Sequence, residues 1–113
     1  MDDIRNNSEF VLKHMYKIYL DRLEEGESSS RSKYFGSFKK LQQEYFIGYT
    51  FDQLHDCINE LSLNNYLNVA YGSNVPREII LENSSIVYFE KEYSKNAKSL
   101  IKDLNNLRRL LGI

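Results

Sequence analysis

Three side chains in this sequence could bind a soft metal ion or take part in nucleophilic catalysis: His14, His55 and Cys57. Metal sites and thiol catalysis place such residues at short, fixed spacings, as in C-x-x-C or H-E-x-x-H, and these three match neither pattern. His55 and Cys57 are two residues apart on a predicted helix, so they point to different sides of it. The five glycines, at positions 26, 36, 48, 72 and 112, are too scattered for a phosphate-binding loop. The sequence therefore predicts no metal, no cofactor and no enzymatic activity.

A basic segment between residues 31 and 40 has a composition suited to nucleic acid. It combines four cations with three aromatic rings and no acid, namely Arg31, Lys33, Lys39 and Lys40 with Tyr34, Phe35 and Phe38. Such cations contact phosphates, and such rings can stack on bases. The alternative is a solvated surface that promotes solubility, with the rings buried in the core. Arg77 is the only further base between Leu41 and Glu90, and it is a candidate for phosphate contact from a hairpin.

A second group of cations lies toward the C-terminal end of the sequence. Lys91, Lys95, Lys98 and Lys102 follow one another at steps of four, three and four residues. This spacing would align them along one face of a helix. The stripe could contact a nucleic-acid backbone, or it could face water opposite an apolar seam, and the second interpretation is favoured.

The acidic residues Asp52, Asp56 and Glu60 form a row on the third predicted helix, at positions i, i+4 and i+8. Two of these carboxylates are close enough to bind a basic protein partner or a divalent ion. A solvated acidic face is the favoured alternative. Because the row would repel the phosphates of duplex DNA, it argues against the reading of DNA by this helix.

The composition is that of an ordinary globular chain. With 113 residues, 42% of them hydrophobic and 27% charged, we expect one domain with a core rather than two domains. The net charge of −1 hides a centre that is acidic between two base-rich segments, 31–40 and 91–113. A lone cysteine and the lack of an apolar N-terminal run indicate a reducing cytoplasm. The longest apolar runs have three residues, which predicts no membrane role.

Hydrophobic spacing and capping signals predict the elements that position these residues. Residues 8–25 are expected to form a first helix with Ser8 as its N-cap, followed by Gly26 and a flexible link of serines. A short strand is expected at residues 33–35. A second helix is predicted from the cap Ser37 through Phe46.

The third helix has the most specific local signal. Thr50-x-x-Gln53 forms a capping box at its start, and Asn64 with Asn65 ends it. The residues predicted to point inward are Phe51, Leu54, Ile58 and Leu61. Strands at 66–71 and 79–81, joined by a turn within 72–76, then predict a hairpin, with Leu67, Val69 and Tyr71 on one face.

Two more helices are predicted after the hairpin, one from Asn83 or Ser84 through Tyr93 and one over residues 94–111. The last helix carries a heptad-like seam that is formed by Leu100, Leu104, Leu107 and Leu111 and widened by Ile101 and Leu110. The seam packs either on the first helix of the same chain, which is slightly favoured, or on its copy in a homodimer.

The helix and hairpin of residues 50–81 resemble the corresponding half of winged-helix domains. The matching residues are Thr50-Phe51-Asp52-Gln53-Leu54, Asn65-Tyr66-Leu67-Asn68-Val69 and Ile79-Ile80-Leu81. The resemblance covers about residues 8–93. Within the winged-helix class, the sequence is most similar to the small YjcQ-like proteins of phages and mobile elements, in which a T-x-D-Q-[FL] helix precedes a wing. It implies a mainly α fold with a small β-hairpin (α+β), as a single winged-helix domain over 1–113 with an additional C-terminal helix at 94–111.

Two functional hypotheses follow. The resemblance implies binding of duplex or single-stranded DNA, or transcription regulation, through the basic segment, Arg77 and the lysine stripe. Winged helices also serve as protein-docking modules, and a partner bound by the acidic row is the alternative. The sequence departs from the DNA-binding pattern at one point, because many such proteins carry Arg or Lys on the exposed recognition helix and this helix has neither.

Overall fold

Six helices and three strands are present in the computed structural model, which describes residues 1–94 and 97–113. In chain order they are α1 (Asn6–Glu24), α2 (Ser29–Ser32), β1 (Tyr34–Gly36), α3 (Phe38–Tyr45), α4 (Phe51–Leu63), β2 (Leu67–Gly72), β3 (Val75–Leu81), α5 (Asn83–Tyr93) and α6 (Ala97–Leu111). Helices dominate, and the strands form one small antiparallel sheet, which confirms the predicted α+β class. In this part of the chain no helix is both long and apolar enough to cross a membrane.

The sheet has the strand order β1-β3-β2, so the last strand of the chain lies in its middle. The predicted hairpin is confirmed, and its two-residue loop consists of Ser73 and Asn74, with φ of 54° and 65°. Two left-handed residues in such a loop give a turn whose twist matches that of the flanking strands. Ile79 and Leu81 of β3 are fully buried, so the sheet packs on the core through this strand.

Helix α1 runs through the core, and α6 packs along it. The buried residues of the leucine seam are Leu100, Leu104 and Leu107, while Leu111 is partly buried. The chain therefore covers its own seam, as the favoured interpretation expected. Ile101 and Leu110, which were predicted to widen the seam, are exposed instead.

A buried lysine joins α1 to the two C-terminal helices. The Nζ atom of Lys13 lies 2.9 Å from Glu9 Oε2 and 3.6 Å from Asp103 Oδ2. The hydroxyl of Tyr93 donates to the same Asp103 oxygen at 2.7 Å. Burial of a cation is costly unless nearby carboxylates compensate for its lost hydration. The ion pairs of Lys13 and the hydrogen bond of Tyr93 therefore connect α1, α5 and α6.

The predicted capping box of α4 is confirmed. The Thr50 hydroxyl accepts from the Gln53 backbone N–H at 3.2 Å, and Gln53 Oε1 accepts from the Thr50 backbone N–H at 3.0 Å. The helix ends at the predicted place, with Asn64 as its cap and Asn65 in the left-handed region at a φ of 64°. Both ends of α4 are thus determined by local sequence.

Two predictions for the first third of the chain are wrong. Arg5, not Ser8, is the N-cap of α1, because the Ser8 side chain is buried and donates its hydroxyl hydrogen to Glu60 of α4. The serine link is not irregular, because the Ser28 hydroxyl accepts from the Arg31 backbone N–H and starts the short helix α2.

The two predicted starts after the hairpin are also wrong. Helix α5 has Glu82 as its N-cap, and the Asn83 side chain accepts a hydrogen bond from Lys33 Nζ at 3.1 Å. Ser94 ends α5 in the left-handed conformation, with a φ of 46°, instead of starting the last helix. Within the described residues, α6 covers Ala97–Leu111.

Candidate binding surfaces

Helix α4 presents a mixed acidic and apolar side to solvent. Its opposite side is buried and consists of Leu54, Cys57, Ile58 and Leu61. Asp52 and Asp56 are exposed, and Leu63 is 83% exposed. With 3.6 residues per turn, these three side chains lie within about 40° of one another around the helix axis. The sequence analysis made no prediction for Leu63. Its position one helical turn after Asn59 nevertheless places it on the solvent-facing side of α4.

Phe51 belongs to the exposed side of α4, contrary to the predicted inward stripe. Its ring is 47% exposed, stacks on His55 with the centroids 5.1 Å apart, and packs on Phe38 at 4.9 Å. The prediction is wrong because the first turn of α4 lies beyond the rim of the core, and Leu54 is the first of its residues that the core covers. We call Phe51, Asp52, Asp56 and Leu63 the α4 face, in which Phe51 lies on the flank, about 100° around the helix axis from Asp52.

Glu60 does not extend the row of free carboxylates. Its Oε1 atom accepts hydrogen bonds from Arg5 Nε at 3.1 Å, from the Arg5 backbone N–H and from the Ser8 hydroxyl. Burial opposes the ionised form, but the hydrogen bonds from Ser8 and Arg5 outweigh it and hold the pKa of Glu60 below its ordinary value. The predicted row of three is thus corrected to two exposed carboxylates, Asp52 and Asp56.

Polar side chains join α4 to the hairpin in a continuous hydrogen-bonded chain. His55 Nε2 lies 3.0 Å from the backbone oxygen of Asn74, which can only accept, so Nε2 carries the proton. His55 Nδ1 then accepts from Asn59 Nδ2 at 3.2 Å, and Asn59 Oδ1 accepts from the Tyr71 hydroxyl at 2.7 Å. His55 and Asn59 of α4 are thus both engaged in hydrogen bonds that lead to the hairpin.

The basic segment lines one wall of a groove of about 860 Å³ between α1, α2, β1 and α3. Its members in the groove are Arg31, Lys33, Tyr34 and Lys40, whereas Lys39 is exposed but is not among the lining residues. The acids Asp21, Glu25 and Glu27 line the same groove. Cations and carboxylates therefore face a common space, and the groove is not a uniformly positive surface.

Only one of the three rings of the basic segment is available for stacking. Tyr34 is 42% exposed, whereas Phe35 and Phe38 are buried in the core. Phe35 is covered by the guanidinium of Arg22, whose Cζ lies 4.6 Å from the ring centroid. The alternative interpretation, in which the rings are buried in the core, is therefore confirmed for Phe35 and Phe38.

Arg22 fixes the basic segment to α1, a role that the sequence analysis missed. Its Nη1 atom donates to the backbone oxygens of Ser32 at 3.1 Å and Tyr34 at 2.8 Å, and Nη2 lies 3.0 Å from the Tyr45 hydroxyl. An arginine in the last turn of a helix can donate hydrogen bonds to nearby carbonyl groups. The position of Arg22 in the last turn of α1 was therefore the signal from which this role could have been predicted.

The predicted lysine stripe does not lie on one helix. Lys91 is on α5 and Lys98 and Lys102 are on α6, all three exposed, and Lys95 lies outside the described residues. The left-handed Ser94 ends α5 and interrupts the spacing, so the predicted single face is wrong. Arg77, the cation of the hairpin, is exposed on β3 and lies across Gly72.

The candidate metal or catalytic residues are separated in the structure. His14 is on α1, His55 is held by the hairpin, and Cys57 is buried on the opposite side of α4, where burial raises the pKa of its thiol. Among residues 1–94 and 97–113, no three His, Cys, Asp or Glu side chains are grouped as a metal ion would require.

No protein-family model, curated protein or solved structure matches the chain.

Proposed function

We propose that the chain is a winged-helix domain. In this assignment α3 and α4 form the helix-turn-helix, the β2–β3 hairpin is the wing, and α6 is an additional helix. The order of helices and strands and the position of β3 between β1 and β2 support it. The tight two-residue loop between β2 and β3 is also what a compact wing requires.

We further propose that this domain is a non-enzymatic protein-docking module whose contact surface is the α4 face. The observation that carries this proposal is the exposure of Phe51 and Leu63 beside Asp52 and Asp56 on a helix without any base. Duplex phosphates would be repelled by these carboxylates. A partner segment with apolar and basic side chains would be complementary to both features of the face.

Selection of peptides from a random library on the immobilised protein tests this function. We expect the enriched peptides to combine apolar residues with Lys or Arg. Their affinity for the double variant D52K/D56K should fall by about tenfold or more, because like charges would then oppose each other at the contact. Titration of one labelled, enriched peptide with both proteins measures the difference.

The double variant E90K/E92K is the matched control for this selection. Glu90 and Glu92 are exposed on α5, so the variant makes the same change in net charge away from the α4 face. Peptide affinity should stay within about twofold of the wild-type value. Enriched peptides that bind D52K/D56K as tightly as wild type would contradict docking at the α4 face.

Nucleic-acid binding through the basic segment is the second candidate function. It is favoured by the convergence of Arg31, Lys33 and Lys40 on one groove beside the exposed ring of Tyr34. Single-stranded nucleic acid would suit such an arrangement, since cations follow the backbone and a ring stacks on a base. The carboxylates that line the same groove would oppose this binding, which is why docking at the α4 face ranks first.

A further inference from the structure

A second groove lies between α1, the turn that joins α3 to α4, and the end of α6. Its volume is about 590 Å³, within the range of sites that take small organic molecules. None of the residues of the α4 face lines it. The groove is therefore separate from the proposed docking surface, and an inference about it does not depend on that function.

Aromatic side chains form the walls of this groove. The His14 ring meets the rings of Phe10 and Phe46 edge to face, with centroid distances of 5.7 Å and 5.0 Å. Tyr49 packs on Phe46 at 5.5 Å, and its hydroxyl donates to Asn7 Oδ1 at 2.7 Å. Phe10 and Phe46 are themselves buried, so the accessible part of this wall is the partly buried ring of Tyr49 beside the exposed side chain of Ile47.

His14 contributes a single hydrogen-bond donor to the groove. Its Nδ1 atom is buried and has no hydrogen-bond partner in the described chain, so a proton there would be a buried donor without an acceptor. The proton of the neutral ring therefore belongs on Nε2, and the His14 side chain is one of those that line the groove. Burial, together with the charges of Arg108 and Lys17, lowers the pKa of His14 to about 4, so the ring is neutral at physiological pH.

Arg108 contributes a positive charge to the same groove. Its guanidinium lies over the Phe10 ring, with Cζ 5.3 Å from the centroid, and Nη1 donates to Asn105 at 3.3 Å. No carboxylate forms an ion pair with Arg108 in residues 1–94 and 97–113. Most of the five guanidinium donors are thus free, next to a neutral histidine donor and above an aromatic wall.

We propose that this groove binds a small aromatic monocarboxylate. The ring of the ligand packs against Tyr49 and Ile47, and its carboxylate accepts hydrogen bonds from His14 Nε2 and from the Arg108 guanidinium. A carboxylate is the anion that suits this pair, because it accepts from two donors in one plane. An aromatic ring without the negative charge would leave Arg108 without a counterion.

Phenylacetate is the probe for this proposal, and its uncharged analogue phenylacetamide is the paired control ligand. In two-dimensional NMR titrations of the full chain, we expect saturable shifts of the His14 ring protons with phenylacetate. Phenylacetamide should bind about tenfold or more weakly, as loss of a charge-assisted hydrogen bond implies. Saturation with phenylacetate should also raise the pKa of His14, because a bound anion favours the imidazolium.

Two adjacent arginines of α6 provide matched variants. R108Q should weaken phenylacetate binding by about tenfold or more, since it removes the charge that faces the groove. R109Q should leave it within about twofold, because Arg109 is exposed, donates to Asn106 and does not line the groove. Absence of His14 shifts with phenylacetate, equal binding of phenylacetamide, or equal losses in R108Q and R109Q would each overturn the proposal.

Discussion

Replacement of Leu100 by alanine is expected to lower the free energy of unfolding by about 2 to 5 kcal/mol. Leu100 is fully buried where α6 packs along α1. The smaller side chain loses its transfer free energy and leaves a cavity in a core that spans several helices. Urea denaturation followed by circular dichroism measures the change.

The same experiment distinguishes packing within the chain from dimerisation. L110A is the control, because Leu110 is on the same helix but 67% exposed, and its effect should stay within about 0.5 kcal/mol. The unfolding midpoints of both variants and the wild type should not depend on protein concentration between about 5 and 200 µM. A midpoint that rises with concentration and is sensitive to L110A would indicate that α6 pairs with a second copy.

A loss of stability in mild acid, caused by His14, is the second large effect that we expect. The pKa of His14 is lowered to about 4 by burial, by Arg108 and by Lys17, with Asp21 acting in the opposite direction. In the unfolded chain it is about 6.5. Between these values only the unfolded state takes up the proton, so the free energy of unfolding decreases as the pH falls from about 6.5 to 4. The total decrease should be about 2 to 3 kcal/mol, allowing for the partly exposed ring.

The variant H14F isolates this contribution. Phenylalanine keeps a ring between Phe10 and Phe46 but cannot take up a proton. In urea denaturation at several pH values from about 7 to 3, the wild type should lose stability more steeply than H14F down to about pH 4, and the difference should level off below that pH. The other titrating groups are common to both proteins. Parallel curves for the two proteins across this range would show that His14 is not held neutral by the fold.

The parts of the fold that the sequence predicted well depend on short-range signals. Thr50 and Gln53 determine the start of α4 through hydrogen bonds three residues apart, and Asn65 ends the helix because it tolerates a left-handed backbone. Ser37 starts α3 in a similar way, by accepting from the Lys40 backbone N–H. Such contacts depend on neighbours in sequence, and hence they can be derived before the tertiary structure is known.

The incorrect predictions concern residues whose role depends on distant parts of the chain. Ser8 has the residue type of a cap, but Glu60 lies 52 positions away and accepts its hydroxyl hydrogen in the core. The same contact removes Glu60 from the acidic row. Periodicity placed Phe51 on the buried side of α4, but it contains no information on where the core ends. Tyr71 was placed on one face with Leu67 and Val69, but the register of β2 against β3 shifts between Ala70 and Tyr71, and Tyr71 is 46% exposed.

The candidate sites likewise divide into those that depend on short-range signals and those that depend on distant residues. Asp52 and Asp56 could be predicted as an exposed pair from their spacing alone, whereas the groove of His14 and Arg108 combines residues 94 positions apart. The lysine stripe was inferred from regular spacing, and a left-handed residue at Ser94 ends the helix that the spacing required. Serine carries no strong signal for that conformation, so the break could not be predicted locally.

In the proposed function, α4 presents a face for a protein partner and does not read DNA. Three features of the helix support it: two exposed carboxylates, exposed apolar side chains at Phe51 and Leu63, and polar residues that already bind the hairpin. A recognition helix that reads DNA has the opposite requirements, with cations near the phosphates and free polar side chains near the bases.

Fluorescence anisotropy of a labelled generic DNA duplex, titrated with wild type and D52K/D56K at about 50 and 200 mM salt, tests whether α4 repels DNA. We expect no binding by the wild type up to about 10⁻⁴ M protein. D52K/D56K should bind at the lower salt concentration and lose this binding at the higher one, and E90K/E92K should bind more weakly than D52K/D56K because its charges lie on α5. Wild-type protein that binds the duplex at about 50 mM salt as tightly as D52K/D56K does, and is released at 200 mM, would contradict this proposal.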